Sequence, residues 1–488
     1  MDYQLYFGAD WFGDVEDTLI TMMTSAINLA HQAKPTLVVG LGLTGFSVAN
    51  YLLKKGKDVV VMDSRAEPPL LKELNKHYPD VAVLTSIVPS ESEHRLSENF
   101  EQVVASPGIA LDPSIEAIGD IELFAEQVDA PVIAITGSNG KSTVTMLVTN
   151  MLQAAGLAVK TGGNIGVPAL DLLEGSPPDF YVLELSSFQL ELTHSLKCAS
   201  AGVLNVSEDH MDRYESFQAY VDAKLRIYQN AETRVVNRDE GLFKSGVLGM
   251  DHAPVKHHQT EPWSQQILGF GLGPPHASQP FGLEERDGIV GFVMWKDGVN
   301  KWLASTDDMK MGGRQNISNV LAAMALLQGA GIELSERVVD CALAYPGLAH
   351  RCELVKTMNG VSWINDSKGT NVGATIAAIN GLTGRGVLIA GGVGKGADFS
   401  ALRDSVKEKI THLVLFGQDA DDIARAINEV VPTHFANTLD DAVNQAAILS
   451  KDGAFVLFSP ACSSFDMFDS FEHRGDQFRS LVLEIEDE

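Results

Sequence analysis

Two glycine-rich loops, each set between a short apolar run and a helical stretch, constrain this chain more than any other feature. The first, "GLGLTG" (Gly40 to Gly45), follows "TLVV"; the second, "TGSNGKST" (Thr136 to Thr143), follows "APVIAI" about a hundred residues later. Such a loop needs a strand that ends where a helix begins, so each demands its own parallel sheet covered by helices. A single core rarely grows past roughly 250–300 residues, and a chain of 488 residues is read here as three domains.

The punctuation agrees. From Pro35, "TLVVG", a helical run Phe46 to Lys55 and "DVVVMD" form one βαβ series. A second opens at "APVIAITGSNGKST", continues through a helix to Ala155 and the strands "FYVLELSS" and "AGVLNVSEDH", and closes on "NISNVLAAMALLQGAG". Within it, a less regular stretch from about Phe243 to Trp302 reads as an insertion. A third runs from "PGLAHRCELV" through "VSWINDSKGT", "GVLIAGGVGKG", "HLVLFG" and "AFVLFSPACSS". The expected α/β domains are 35–118, 119–347 and 348–488. For the extension 1–34, an appended helix over "LITMMTSAINLAHQA" and an upstream start codon, with Met22 or Met23 as the working start, both stay open.

Charge narrows the partners. With 64 Asp and Glu against 36 Lys and Arg, a net charge of -28 argues against nucleic acid or an anionic membrane surface. Any anionic ligand then depends on a few placed cations and backbone N–H groups. Cys198, Cys341, Cys352 and Cys462 form no CxxC pair, and His252, His257, His258 and His276 lack a consistent ligand spacing, so loop histidines are expected there rather than a metal. No apolar run reaches the roughly 18 residues of a membrane span, and the acidic start has no basic n-region, so a cytoplasmic location is expected.

Gly40, Gly42 and Gly45 give G-x-G-x-x-G, and Asp63 ends the next strand 18 residues past Gly45. That is a dinucleotide fingerprint, in which glycines allow close backbone approach and a helix N-terminus faces phosphate; a turn that merely needs glycine is the plainer alternative. An NAD enzyme would also need a later domain with a hydride acceptor and its acid or base, and no feature singles these out. Arg65, beside Asp63, suits a non-redox nucleotide conjugate better.

The second loop lacks the first glycine of a full G-x-x-x-x-G-K-[ST] motif, because Ile135 stands there. The working parts remain: a turn through Gly137, Ser138, Asn139 and Gly140, Lys141 for β- and γ-phosphates, and Ser142 and Thr143 opening a helix, with the Ser142 hydroxyl available to Mg²⁺. Glu184 ends the strand "FYVLE", and Asp209 and His210 follow "AGVLNV". Ligands of open α/β sheets lie beyond the carboxyl ends of strands, so these groups should converge near Lys141, in a set suited to Mg²⁺ or Mn²⁺. In "FQAYVDAKLRIYQ", Lys224 falls within the apolar stripe of Phe217, Tyr220 and Tyr228. Either it points inward and needs a partner or modification, or its stem snorkels outward.

Together, "TGSNGKST", "GGNIG", "ELSSFQLE", "NVSEDHMDRY", "AKLRIY", "HRCE", "NDSKGTN" and "SPACSSFDMF" resemble the Mur ligases, ATP-dependent amide-forming enzymes of peptidoglycan precursor synthesis. The resemblance covers the chain from about residue 35 to its end. It implies a Rossmann-like N-terminal domain, a P-loop ATPase-like central domain and a Rossmann-like C-terminal domain. It further implies ATP, Mg²⁺ at two sites, UDP-N-acetylmuramoyl-L-alanine and D-glutamate as ligands, and a monomer. Carried over residue by residue, Leu43, Thr44, Gly45, Ser64, Arg65, Ser106, Pro107, Gly108, Asn164 and His210 would serve the UDP substrate. The loop Gly137 to Thr143, with Asn316, Asn319, His350, Arg351 and Asp366, would serve ATP. Lys368, Thr370, Lys395, Ser464 and Phe471 would hold D-glutamate. Metal would fall to Ser142, Glu184, His210 and Lys224, the last as a carbamate made from CO₂, and Lys141, Glu184, His210, Lys224 and Arg351 form the expected catalytic set.

Gln315 and Val393 depart from the family pattern, which commonly has His and an acid there. Three rivals remain: another ligase of the superfamily with a different acceptor, a nucleotide-sugar sensor without chemistry, and a redox NAD enzyme.

Overall fold

The computed structural model describes residues 34–86, 100–111, 115–211, 213–241, 266–277, 279–427, 429–450 and 454–485. The expectations for residues 1–33, including the start codons, and for His252, His257 and His258 lie outside the described residues. The chain divides into two compact units, one of residues 1–130, 161–177 and 185–197, the other of residues 131–160, 178–184 and 198–488.

In the first unit, β1 (Thr36–Val39), β2 (Val59–Asp63), β3 (Ala82–Thr85), β4 (Gln102–Ala105) and β5 (Ala117–Ile118) form a parallel sheet in the order β3-β2-β1-β4-β5. β1 and β2 are buried at every position, as β-branched runs covered on both faces require. Leu37, Val39, Val60, Met62 and Val103 form the core beneath one face. Residues 161–177 and 185–197, assigned by their place in the sequence to the central domain, pack instead into this unit. Ser47 Oγ donates to Asp171 at 2.6 Å, and the Glu122 carboxylate accepts the N–H groups of His194 and Ser195.

The second unit holds two sheets. Its nine-stranded sheet contains β6 (Val132–Thr136), β7 (Val159–Gly163), β8 (Phe180–Glu184), β9 (Cys198–Val203), β10 (Ala231–Asn237), β11 (Gln266–Phe270), β12 (Phe281–Arg286), β13 (Ile289–Lys296) and β14 (Val299–Ser305). The order is β14-β13-β12-β11-β10-β9-β6-β8-β7. The helices Lys141–Ala154 and Arg314–Gly329 bury Val144, Leu147, Val148, Leu321 and Met324 in its core. The expected insertion is corrected over its described part: β11 and β12 continue the sheet in parallel beyond β10, and β13 and β14 follow, each antiparallel to the strand before it.

The other sheet contains β15 (Glu353–Met358), β16 (Val361–Asn365), β17 (Gly386–Gly391), β18 (Ile410–Phe416), β19 (Thr433–Phe435) and β20 (Phe455–Phe458). The order is β15-β16-β20-β17-β18-β19, and only β15 runs antiparallel to its neighbour. Buried side chains cover both faces. Among the described residues, no helix is long and apolar enough to cross a membrane.

Candidate active site

In the first unit, the carboxyl ends of β1, β2 and β4 open onto a cavity of about 640 Å³, a size suited to a nucleotide-sized ligand. Leu43, Thr44, Ser64, Arg65, Ser106, Pro107, Gly108 and Asn164 all line it. Gly45 does not: a Cβ there would fall onto the Gly40 carbonyl oxygen, so this glycine lets the helix Leu43–Lys54 pack against the loop. His210 belongs to the other unit. Gln189, Ile109 and Gly163 also line the cavity and were not singled out from sequence.

Asp63 organises this loop. Its Oδ2 accepts the Leu41 N–H at 2.7 Å, while the Arg65 guanidinium donates to Oδ1 at 2.8 Å and to Oδ2 at 2.6 Å. Chiefly through Arg65, the carboxyl is pulled down to about 2. Both oxygens of the acid that would grip an NAD ribose therefore already accept donors, which speaks against the redox reading.

In the second unit, β6 lies between β8 and β9, parallel to both, so the loop after β6 leaves a switch point of the sheet. Gly140 caps the following helix with φ 82°, and a Cβ on it would stand 2.6 Å from Asn319 Oδ1. Asn319 Nδ2 in turn donates to Asn316 Oδ1. The loop is fastened from beneath: Asn139 N–H donates to Asn205 Oδ1, Ser138 N–H to the Asn205 carbonyl, and Ser138 Oγ to the Ser207 carbonyl. Lys141 Nζ donates to the carbonyls of Gly137 and Ser138.

The charges converge as the strand ends required. Burial pulls the Lys141 amine down, opposed by Glu184 and Asp209 and reinforced by Arg351. Glu184, at the end of β8, is 3 % exposed. His210 has φ 58°, a left-handed conformation that costs a non-glycine residue about 1 kcal/mol or more and persists where its surroundings impose it. Asp209 Oδ1 accepts its N–H at 3.0 Å.

Lys224 is 2 % exposed and points inward, which settles the snorkelling alternative. Its Nζ donates to the Gly137 carbonyl at 3.0 Å and lies 4.5 Å from the Tyr220 ring centroid. Burial first, then Lys141, drives its pKa far below the ordinary lysine value. A buried amine whose charged form is disfavoured thus sits under the phosphate loop.

From the other sheet, Arg351 Nη2 donates to Ser142 Oγ at 2.8 Å. Its neighbour His350 turns the other way, 6 % exposed, against Asn365 and Phe471. Asp366 accepts from the Cys352 N–H and from Ser459 Oγ, and burial raises it to about 6. Lys368 Nζ lies 3.6 Å over the Phe471 ring, its pKa lowered to about 8, first by burial and then by Arg351. Lys395, at φ 53°, follows Val393, whose bridge to Ser463 brings that turn beside Ser464. The two departures fall off the phosphate loop: Gln315 Nε2 lies 3.8 Å from the Cys352 thiol, and Val393 acts through its backbone.

Among the described residues, no three or more His, Cys, Asp or Glu side chains form a metal cage. Mg²⁺ does not demand one, because it commonly takes one or two protein oxygens and completes its shell with water and phosphate. Ser142, at the first turn after the loop, and Glu184, at the end of β8, offer such oxygens.

Family models match three stretches of the chain: "Mur ligase MurD-like, N-terminal domain" at 34–122, "Mur ligase middle domain" at 135–327, and "Mur ligase, glutamate ligase domain" at 350–462. The UDP-N-acetylmuramoylalanine--D-glutamate ligase of Nitrosococcus oceani is 45% identical over 464 residues, covering 93% of this chain and 97% of its own. That of Marinobacter nauticus is 46% identical, over 92% and 97%. Among solved structures, the UDP-N-acetylmuramate-alanine ligase MurC of Thermotoga maritima aligns with a TM-score of 0.55 at 17% identity, covering 92% of this chain and 99% of that one. The MurF ligase of Thermotoga maritima in complex with ADP gives 0.56 at 14%, covering 91% and 93%. At these identities the structures show a shared fold alone.

Proposed function

The chain belongs to the Mur ligase family, and we propose that it joins the amine of D-glutamate to the alanyl carboxylate of UDP-N-acetylmuramoyl-L-alanine, with ATP converted to ADP and phosphate. The observation that carries this reading is 45% identity, spread over 93% of the chain, to a ligase named for that acceptor. It is an ATP-dependent enzyme of peptidoglycan synthesis that uses Mg²⁺. We assign it to the cytoplasm as a monomer, with domains 35–118, 119–347 and 348–488, of which residues 161–177 and 185–197 pack with the first.

A carboxylate is a poor acyl electrophile. In the proposed first step its oxygen attacks the γ-phosphorus of ATP, the bond to the β-phosphate oxygen breaks, and an acyl phosphate forms. Mg²⁺ supplies charge neutralisation among the phosphates. Lys141 and Arg351 would add cations to the transferring group, and Ser142, Glu184 and His210 would hold metal. The amine of D-glutamate then attacks the acyl carbon, loses a proton, and expels phosphate. Lys368 and Lys395 would meet the dicarboxylate, with Thr370, Ser464 and Phe471 shaping its seat.

Lys224 would act as a carbamate: its nitrogen attacks the carbon of CO₂ and releases a proton, turning an inward amine into an oxygen ligand for a second metal. The burial of this amine and its lowered pKa support this. The first-unit cavity would take the UDP end of the substrate. Mass spectrometry of a reaction with ATP, Mg²⁺, UDP-N-acetylmuramoyl-L-alanine and D-glutamate tests the reading, which predicts the glutamyl product and fails without it.

A further inference from the structure

Asn371 begins the helix Val372–Gly381, and its Oδ1 accepts the Ala374 N–H at 2.8 Å, an ordinary N-cap. With Oδ1 committed, the amide has Nδ2 left to donate. That group donates to Asp209 Oδ2 at 3.1 Å, 162 residues away in sequence. The other oxygen of Asp209 accepts the N–H of His210, the residue held at φ 58°. One carboxylate therefore serves both the His210 turn and the loop that carries Lys368 and Thr370.

The approach is tight on both sides. A Cβ on Gly373 would stand 2.8 Å from Ser207 Oγ, so the first turn of the helix packs closely against the chain leaving β9. Ser207 N–H donates in turn to Ser138 Oγ, within the phosphate loop. The positive end of the helix dipole faces the Asp209 carboxylate, which favours the same contact.

Capping alone does not require this residue, since Ser, Thr and Asp cap helices as well as Asn does. Asp would supply the acceptor for Ala374 but no donor for Asp209, and a hydroxyl would have to serve both from one atom on a shorter side chain; the Asn371 amide places acceptor and donor on separate atoms. We propose that Asn371 is a positioning residue that locks the Lys368–Thr370 loop to the His210 turn through Asp209, so that D-glutamate is presented in register with the acyl phosphate. The proposal rests on the ligase reading above.

The test separates cap from lock. Asn371→Asp keeps the cap and sets two carboxylates against each other; Asn371→Ser keeps the cap but removes the separate Nδ2 that reaches Asp209. The double variant Asn371→Asp/Asp209→Asn restores the hydrogen bond with its direction reversed. Both single variants should melt near the native protein, with the KM for D-glutamate raised about tenfold and the KM for ATP moved less than about twofold. The double variant should return the D-glutamate KM to within about threefold of native. Single variants with native constants would overturn the lock. So would a loss that tracks the melting temperature, or one that the double variant does not recover. Native protein that makes no product from D-glutamate would overturn the ligase reading and the lock with it, whereas native turnover with unaffected variants overturns the lock alone.

Discussion

Arg351 reaches from the loop before β15 to donate through Nη2 to Ser142 Oγ at 2.8 Å, across 209 residues of sequence. It is the cation that joins the six-stranded sheet to the phosphate loop, and burial lowers its pKa without making deprotonation accessible near neutral pH. Arg351→Lys keeps the charge but loses the planar donor fork. We expect kcat to fall at least about a hundredfold, with the KM for the UDP substrate little changed. Steady-state kinetics decides it, and a kcat within about threefold of native would contradict the assignment.

Lys224 lies under that loop with its Nζ on the Gly137 carbonyl. Lys224→Ala should abolish turnover, and short carboxylic acids such as acetate should restore part of it by supplying the missing oxygen ligands. The protein should still fold, because the cavity lies at the end of a helix whose Ser216 cap is untouched. Full activity of this variant without added acid would refute the carbamate.

Lys368 carries a pH signature. With its pKa lowered to about 8, the free enzyme loses the ammonium as pH rises past that point. Since the proposed role is to meet a carboxylate, kcat/KM for D-glutamate should decline above about pH 8, and Lys368→Arg should move that limb upward. The stability effect has the opposite sign. A lysine depressed from about 10.4 penalises the fold while it is charged, so its contribution improves between about pH 8 and 10. A wild-type profile with no decline above pH 8 would argue against Lys368 as the carboxylate partner.

Gly45 tests the first unit. Its Cβ would collide with the Gly40 carbonyl, which is backbone and cannot swing aside. Gly45→Ala should destabilise the unit by about 3 kcal/mol or more and weaken UDP binding, read by thermal melting and by calorimetry with UDP. A native melting temperature would show that the helix can shift at little cost.

Much of this was legible in the sequence where a local rule acts. The G-x-G-x-x-G spacing, the strand-end acids and the inward stripe position of Lys224 each follow from period and turn chemistry. What escaped depends on distant packing. Residues 161–177 and 185–197 read as part of the central series, yet Asp171 and Glu122 fasten them to the first unit. β11 to β14 read as an insertion because glycines and prolines interrupt their pattern, and antiparallel pairing at the sheet edge tolerates this. Asn371 carried no signal of its own, since nothing near it in sequence announces Asp209. The side chains assigned to D-glutamate came from family resemblance, because Lys, Thr, Ser and Phe at scattered positions have no period of their own.

The central claim is the choice of acceptor. Phosphate release by purified protein with ATP, Mg²⁺ and UDP-N-acetylmuramoyl-L-alanine should be measured with D-glutamate, L-glutamate, L-alanine and a diamino acid in turn. The account predicts turnover with D-glutamate and little with the other three; equal or faster turnover with any of them, or none with D-glutamate, would contradict it.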